Sequence, residues 1–297
     1  MKLRTQKSVP ENCLAVGWAA TVGLLLSVAA VPARAADSPP RESIAATPVS
    51  VPTYADLADL ADPAAVVVKA QVRKVAVIEP QRAAGLRNGW ARLYIEARTE
   101  AVLGGQTALG EALRYLVDVP LDARGKVPKL GKRSVILFAR PVDDRPGELQ
   151  LVASDAQLLW DPALEARVRA ILTEFYAPGA PHGVTGLREA IHVAGALAGE
   201  GETQFFLATA SGDPAAVTVS RSPDSEPRWS VSFSELVQTG TPPPARETLA
   251  WYRLACFLPA QLPAGANLSS TPEDQQFAES DYRFVIDQLG PCPRLRP

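Results

Sequence analysis

An apolar pentad without a polar face constrains the fold of this chain most. Residues 135–139 read Val-Ile-Leu-Phe-Ala, and because alternate side chains of a strand point to opposite faces, both faces must be covered. After an Asp-Asp-Arg-Pro-Gly turn at 143–147, Leu149 and Leu151 alternate with Gln150, which is typical of a half-buried strand. The stretch from Lys132 to Ala153 thus predicts a hairpin at the centre of a small β-domain.

Three further strands and a helix complete this predicted domain. Residues 65–78 alternate with period two and change phase near Arg73 and Lys74, which predicts a β-bulge with Lys74 in an inward position. Residues 90–103 and 113–119 alternate without interruption, and apolar residues recur at helical spacing after Asp161 and Pro162. We therefore predict an α+β, mostly β, fold that begins with a five-stranded, OB-like barrel and its closing helix over residues 52–178.

The second half predicts a four-stranded antiparallel meander, followed by two helices that cover it, over residues 182–297. Turn sequences at 211–214 and 222–224 separate runs in which apolar and polar residues alternate. The helices are predicted at 246–258 and 272–289, and one face of the sheet needs such a cover. Residues 179–181 would then lie between two domains.

The first 35 residues have the three parts of a secretory signal peptide. Basic residues at positions 2, 4 and 7 precede an apolar run at 13–31, and an Ala-Arg-Ala sequence ends at Ala35. We predict export to the periplasm or the medium, with cleavage after Ala35 or Ala36. The alternative is a signal that is retained as a membrane anchor, since the run is near the length that spans a bilayer. Residues 36–51 have the composition of a flexible linker.

The charge of the predicted mature chain argues against nucleic acid as a partner. Removal of the signal leaves 26 basic and 31 acidic residues, a formal charge of −5, whereas phosphate binding depends on clustered Lys and Arg. No second apolar span occurs, so we expect no membrane span after cleavage. An envelope component or another protein remains the expected partner.

One loop concentrates positive charge and is a candidate binding site. It carries Arg124, Lys126, Lys129, Lys132 and Arg133. A basic loop on an acidic protein can bind a phosphate or carboxylate of an envelope polymer or partner. The alternative is a solvated connection between strands.

Sequence motifs of common enzyme and cofactor chemistry do not occur. The chain contains no Gly-x-Ser-x-Gly, Ser-x-x-Lys or Gly-x-Gly-x-x-Gly sequence, and we predict no cofactor and no metal. Cys256 and Cys292 stand too far apart for zinc or haem motifs. His192 lies between Ile191 and Val193 and is interpreted as an outward-facing strand residue, while His182 is interpreted as exposed.

Two groups of acidic residues are candidate sites. Glu200 and Glu202 are the candidate pair for a carboxylate-dependent hydrolase, and the alternative is an ordinary acidic hairpin turn that Gly201 permits. Asp56, Asp59 and Asp62 follow one another at spacings of three in a helix predicted at 54–61. Because no calcium-loop sequence follows, they are interpreted as a solvated helix face rather than a cation site.

The cysteines predict a disulfide. Cys256 and Cys292 are the only two left after removal of the signal, and an exported chain meets an oxidising compartment in which such a pair is normally joined.

Residues 53–176, with five strands, a long bulged first strand and a covering helix, resemble an OB-fold barrel of the secreted netrin or metalloprotease-inhibitor variety. In those inhibitors an N-terminal cysteine carries the activity, whereas this mature chain would begin at Ala36 or Asp37, so the resemblance does not imply inhibition. The whole chain resembles uncharacterised secreted bacterial proteins, which implies an envelope location. We expect an exported, non-enzymatic binding or structural module of the envelope; the alternative is a carboxylate-dependent hydrolase of envelope polymer.

Overall fold

In a computed structural model, residues 51–105, 107–234 and 240–296 are described, and they form two β-sheets and four α-helices. The predicted signal peptide, and all of the predicted linker except its last residue, lie outside the described residues.

The first sheet closes on itself as a five-stranded barrel, as predicted. The strands of the barrel follow the order β1-β2-β3-β5-β4, and β4 also pairs with β1, which closes the barrel. The pairing of β3 with β5 is parallel and the other pairings are antiparallel, an arrangement that is compatible with an OB-like fold. A short sixth strand, which was not predicted, adds to β4. The six strands are β1 (Val66–Val77), β2 (Trp90–Gly105), β3 (Ala112–Pro120), β4 (Ser134–Pro141), β5 (Glu148–Leu151) and β6 (Gln157–Leu159).

The apolar pentad lies in β4, and all five of its side chains are fully buried. β4 pairs with β1 along one edge and with β5 and β6 along the other. The prediction that both faces of this strand are covered is therefore confirmed.

The predicted bulge in β1 is present, but the inward position of Lys74 is wrong. The register with β2 shifts between Val72 and Lys74, and Lys74 points to solvent, where its Nζ lies 3.0 Å from Glu96. The pairing of β1 with β4 ends at Gln71. Beyond Val72, which still bonds to residues 132 and 133, β1 pairs only with β2. This last part of β1 has no second neighbouring strand, and its residues, Lys74 among them, are exposed.

The helix α2 (Pro162–Phe175) begins where predicted and contacts β2 and the first helix, α1 (Tyr54–Ala61). Asp161 caps it, because its side chain accepts a hydrogen bond from the Leu164 amide at 2.9 Å. Its buried residues lie on one face and join the barrel core: Leu164, Val168, Ile171 and Leu172.

The second sheet is the predicted antiparallel meander, with the order β10-β9-β8-β7. α4 packs on β7 and β8, as a cover for one face, and α3 contacts α1, α2 and α4. α3 is shorter at both ends than the sequence predicts. The elements are β7 (Val184–Ala194), β8 (Gly201–Thr209), β9 (Ala216–Arg221), β10 (Arg228–Ser232), α3 (Leu249–Ala255) and α4 (Pro272–Leu289).

α1 is buried rather than solvated, which corrects the interpretation of Asp56 and Asp59 as part of a solvated helix face, whereas Asp62, which follows the helix, is exposed. Asp56 is 1% exposed, and its carboxylate accepts hydrogen bonds from the amides of Leu295 and Arg296, each at 3.1 Å. Asp59 accepts hydrogen bonds from the Tyr252 hydroxyl at 2.7 Å and from Arg294 at 2.6 Å.

Asp62, the third of these aspartates, accepts two hydrogen bonds from Arg253, at 2.6 and 2.8 Å. α3 and the C-terminal residues therefore lie across the face that the helical pattern assigned to water. The predicted division into domains at 179–181 stays a prediction, although residues of both halves belong to one buried cluster.

Candidate functional site

A groove on the outer wall of the barrel, with a volume of about 670 Å³, is the best candidate site. We call it the barrel groove. β3 and β5 pair only at two positions, Arg114 with Glu148 and Tyr115 with Leu149. The chain after β5 then turns towards β4, where the Val152 amide donates to the Phe138 carbonyl at 3.0 Å. The groove lies where these two segments separate, and it is lined by residues of β2, β3, β5 and 152–154.

An ion pair forms one end of the groove. Arg92 donates from Nε and Nη2 to the Asp118 carboxylate at 2.7 and 2.9 Å, and Asp118 is 6% exposed. The hydrogen bonds from Arg92 hold the pKa of Asp118 below its usual range. A further nitrogen of Arg92 donates to the Ala84 carbonyl at 3.1 Å, so this guanidinium is fixed in place and its donors are largely used.

The remaining lining offers groups that could bind a ligand. Tyr94 is half-buried and Arg114 is exposed, and within the described residues neither side chain makes a hydrogen bond or an ion pair. Leu116 is 50% exposed although it lies in the middle of β3. Glu148 lies 3.3 Å from Arg145. Two arginines and two carboxylates line the groove, so its formal charge is zero.

This site was not predicted from the sequence, although the residue pattern contains a signal. Arg92, Tyr94, Arg114 and Leu116 all occupy outward positions of their strands. An apolar residue among polar outward ones, as Leu116 is, marks a surface that differs from an ordinary solvated strand.

The predicted basic site lies at one end of the barrel and does not line the groove. Its five cations are exposed in the connection between β3 and β4, and none of them forms an ion pair within the described part of the chain. Leu130, which is 5% exposed, anchors the connection in the core. Whether these cations bind a ligand stays a prediction.

The structure gives Glu200 and Glu202 local partners only. A carboxylate oxygen of Glu200 accepts from the Leu197 amide at 3.2 Å, and Glu202 accepts from the Gln204 side chain at 2.7 Å. Both are exposed, and neither lines the barrel groove. The residue in the turn with positive φ is Gly199, at 81°, so Gly201 is not what permits the turn.

His192 faces inward, which corrects its assignment as an outward residue. It is 4% exposed, and its ring stacks on Phe277 with centroids 4.9 Å apart. Its Nδ1 lies 2.8 Å from the Thr203 hydroxyl. That hydroxyl also donates to Asp281, which is fully buried and paired with Arg221. This cluster joins three strands to α4. His182 is partly exposed and lies 3.4 Å from Asp213.

Cys256 and Cys292 form the predicted disulfide, with their Cα atoms 5.3 Å apart. Among the described residues, no group of three or more His, Cys, Asp or Glu side chains is placed to hold a metal ion. No described helix is long and apolar enough to cross a bilayer. Neither the protein-family models nor the curated proteins contain a match to this chain.

Proposed function

We propose that the protein is an exported, non-enzymatic binding module of the cell envelope, whose barrel groove binds a neutral glycan chain. The observation that carries this proposal is a groove of about 670 Å³ with balanced charges on the wall of an OB-like barrel. Export is supported by the signal-like N-terminal sequence and by the disulfide, which is typical of an oxidising compartment. We also propose that the barrel is of the secreted netrin variety of the OB fold, which it resembles.

The chemistry of the groove favours an uncharged, hydroxyl-rich ligand. OB-like barrels commonly bind oligonucleotides or oligosaccharides on the face of their second and third strands. An oligonucleotide needs excess positive charge, whereas the two arginines of this groove are matched by two carboxylates. Sugar hydroxyls can both donate to Glu148 and accept from Arg114, and the Tyr94 ring can pack on the apolar face of a pyranose. The fixed pair of Arg92 and Asp118 supplies a preorganised polar end wall.

A binding titration with neutral oligosaccharides, including N-acetylglucosamine oligomers as cell-wall probes, tests the proposal. Tyr94→Ala and Arg114→Ala should each weaken binding by about tenfold or more, since Tyr and Arg often dominate binding energy. Arg228→Ala, an exposed arginine in β10, is the matched control and should bind like the wild type.

Near-ultraviolet circular dichroism should show unchanged folds for all three variants. If no neutral glycan binds, or if the groove variants bind as tightly as the control, the proposal is wrong.

A further inference from the structure

The end of the barrel that carries the connection between β3 and β4 is strongly cationic. Residues 121–133 contain five Lys and Arg side chains and one carboxylate, that of Asp122, for a formal charge of +4. The chain as a whole has a formal charge of −2. Because the five cations are exposed and unpaired within the described residues, their field extends into solvent at this end of the barrel.

Hydrogen bonds tie the connection to itself and to β1. The Asp122 carboxylate accepts hydrogen bonds from the amides of Arg124 and Lys126, at 2.8 and 2.9 Å. The Lys132 amide donates to the Val72 carbonyl, and the Val72 amide donates to the Arg133 carbonyl, each at 2.9 Å. These hydrogen bonds restrain the backbone that carries the cations, which reduces the conformational entropy that binding would cost.

Exposed apolar side chains lie in β1, the strand to which residues 132 and 133 are hydrogen-bonded at Val72. Val75 and Val77, three and five residues beyond Val72, are 37% and 57% exposed. They lie where β1 has passed the end of its pairing with β4. A soluble polyanion would require only the positive charges, whereas a bilayer surface offers both anionic headgroups and an apolar layer beneath them.

An aromatic residue completes this surface. The Leu121 amide, at the start of the connection, donates to the Gly89 carbonyl at 2.8 Å, which places the half-buried Trp90 next to it. The guanidinium carbon of Arg87 lies 3.8 Å from the Trp90 ring centroid. Tryptophan together with Lys and Arg is typical of protein surfaces that lie at the membrane–water boundary. We call the surface formed by residues 73–77, 87–90 and 121–133 the cationic end.

We propose that the cationic end docks on the surface of a bilayer that contains anionic phospholipids. The basic side chains bind headgroup phosphates, and the valines and Trp90 contact the boundary of the acyl layer. This docking is separate from glycan binding, because none of the residues of the cationic end lines the barrel groove.

Cosedimentation of the exported protein with vesicles tests this inference. Vesicles of phosphatidylcholine that contain phosphatidylglycerol should bind the protein, and vesicles of phosphatidylcholine alone should not. The triple variant Arg124→Gln, Lys126→Gln, Lys129→Gln should partition about 100-fold less, because each cation near an anionic surface contributes about fivefold. Binding by the wild type should weaken as salt is raised.

A matched control removes the same charge elsewhere. Arg188→Gln, Arg228→Gln and Arg283→Gln together take three exposed arginines from the second half of the chain, and this protein should bind vesicles like the wild type. If both triple variants lose binding equally, or if neutral vesicles bind as well as anionic ones, the inference is overturned.

Three further measurements separate the competing results. Val75→Ser with Val77→Ser should reduce vesicle binding without changing its salt dependence. Wild-type binding to soluble polyphosphate but not to anionic vesicles would overturn the inference in favour of a polyanion. Tyr94→Ala should leave vesicle binding intact, so failure of the glycan proposal and failure of this one are distinguishable.

Discussion

Replacing Gly201 with alanine should destabilise the second sheet, because the ring of His192 lies over this glycine. An added Cβ would be 2.7 Å from His192 Cε1, 2.8 Å from its Nε2 and 3.2 Å from the Val193 carbonyl oxygen. The ring cannot move aside easily, since it stacks on Phe277 and lies within hydrogen-bonding distance of Thr203.

The magnitude follows from two opposing effects. Overpacking of a buried site costs about 1–3 kcal/mol, while alanine loses less conformational entropy than glycine on folding, a gain of about 0.4–1 kcal/mol. We expect Gly201→Ala to lower the free energy of unfolding by about 1–2 kcal/mol. Equilibrium denaturation in guanidinium chloride, followed by near-ultraviolet circular dichroism, measures this change.

Two matched proteins make the test specific. Gly131 has no atom within 4 Å of an added Cβ, so Gly131→Ala should be neutral or slightly stabilising. In a His192→Ala background the obstacle is absent, and Gly201→Ala should then cost little. If Gly201→Ala is as stable as Gly131→Ala, or costs the same with and without the imidazole, then His192 is not what restricts position 201 and the reasoning fails.

Three further predictions concern charge, covalent structure and export. Because the hydrogen bonds from Arg92 hold the pKa of Asp118 below its usual value, the ion pair should stabilise the fold above about pH 4, the pKa of an unfolded aspartate. This contribution should be lost as the pH falls through the lower, folded-state pKa, and Asp118→Asn should flatten the acid limb of a stability–pH curve. Cys256→Ser should remove about 4 kcal/mol of stability in denaturant titrations, as expected for the 36-residue separation from Cys292, and equal stability would contradict a bridge in solution. Mass spectrometry of exported protein should find a chain that begins at Ala36 or Asp37, and soluble protein with an intact first residue would contradict cleavage.

Period-two patterns predicted the strands well, but they assigned one of them to the wrong face. In β7 the apolar residues Ile191 and Val193 indicated that their side of the strand faces the core and that His192 faces solvent. In the structure, Val193 is 64% exposed and His192 is buried. A shift of one position reverses every side chain of a strand. Only the partners of His192, which are Thr203 on β8 and Asp281 on α4, determine the true face, and no local pattern contains them.

The misassigned aspartates have the same origin. A helical pattern gives only the angle of each side chain about the axis of α1. It cannot show that residues distant in sequence, such as Leu295 and Arg296, cover the side that carries Asp56. The shape of the barrel groove could not be predicted from the sequence either, because it depends on where β3 and β5 separate. The bulge in β1, by contrast, was predicted correctly, because adjacent residues of a single strand show the change of phase that a bulge causes.

The hydrogen bonds of α1 determine when this helix can complete its packing during folding. Asp56 belongs to the first helix of the described chain, but the Leu295 amide that it accepts from is 239 residues away. Synthesis from the N-terminus delivers Asp56 long before it delivers Leu295. During that time the carboxylate has only its own helix cap to satisfy it. Among the described helices, α1 is therefore one of the last to complete its packing. A chain interrupted shortly before residue 295 would leave the Asp56 carboxylate without the hydrogen bonds from the Leu295 and Arg296 amides.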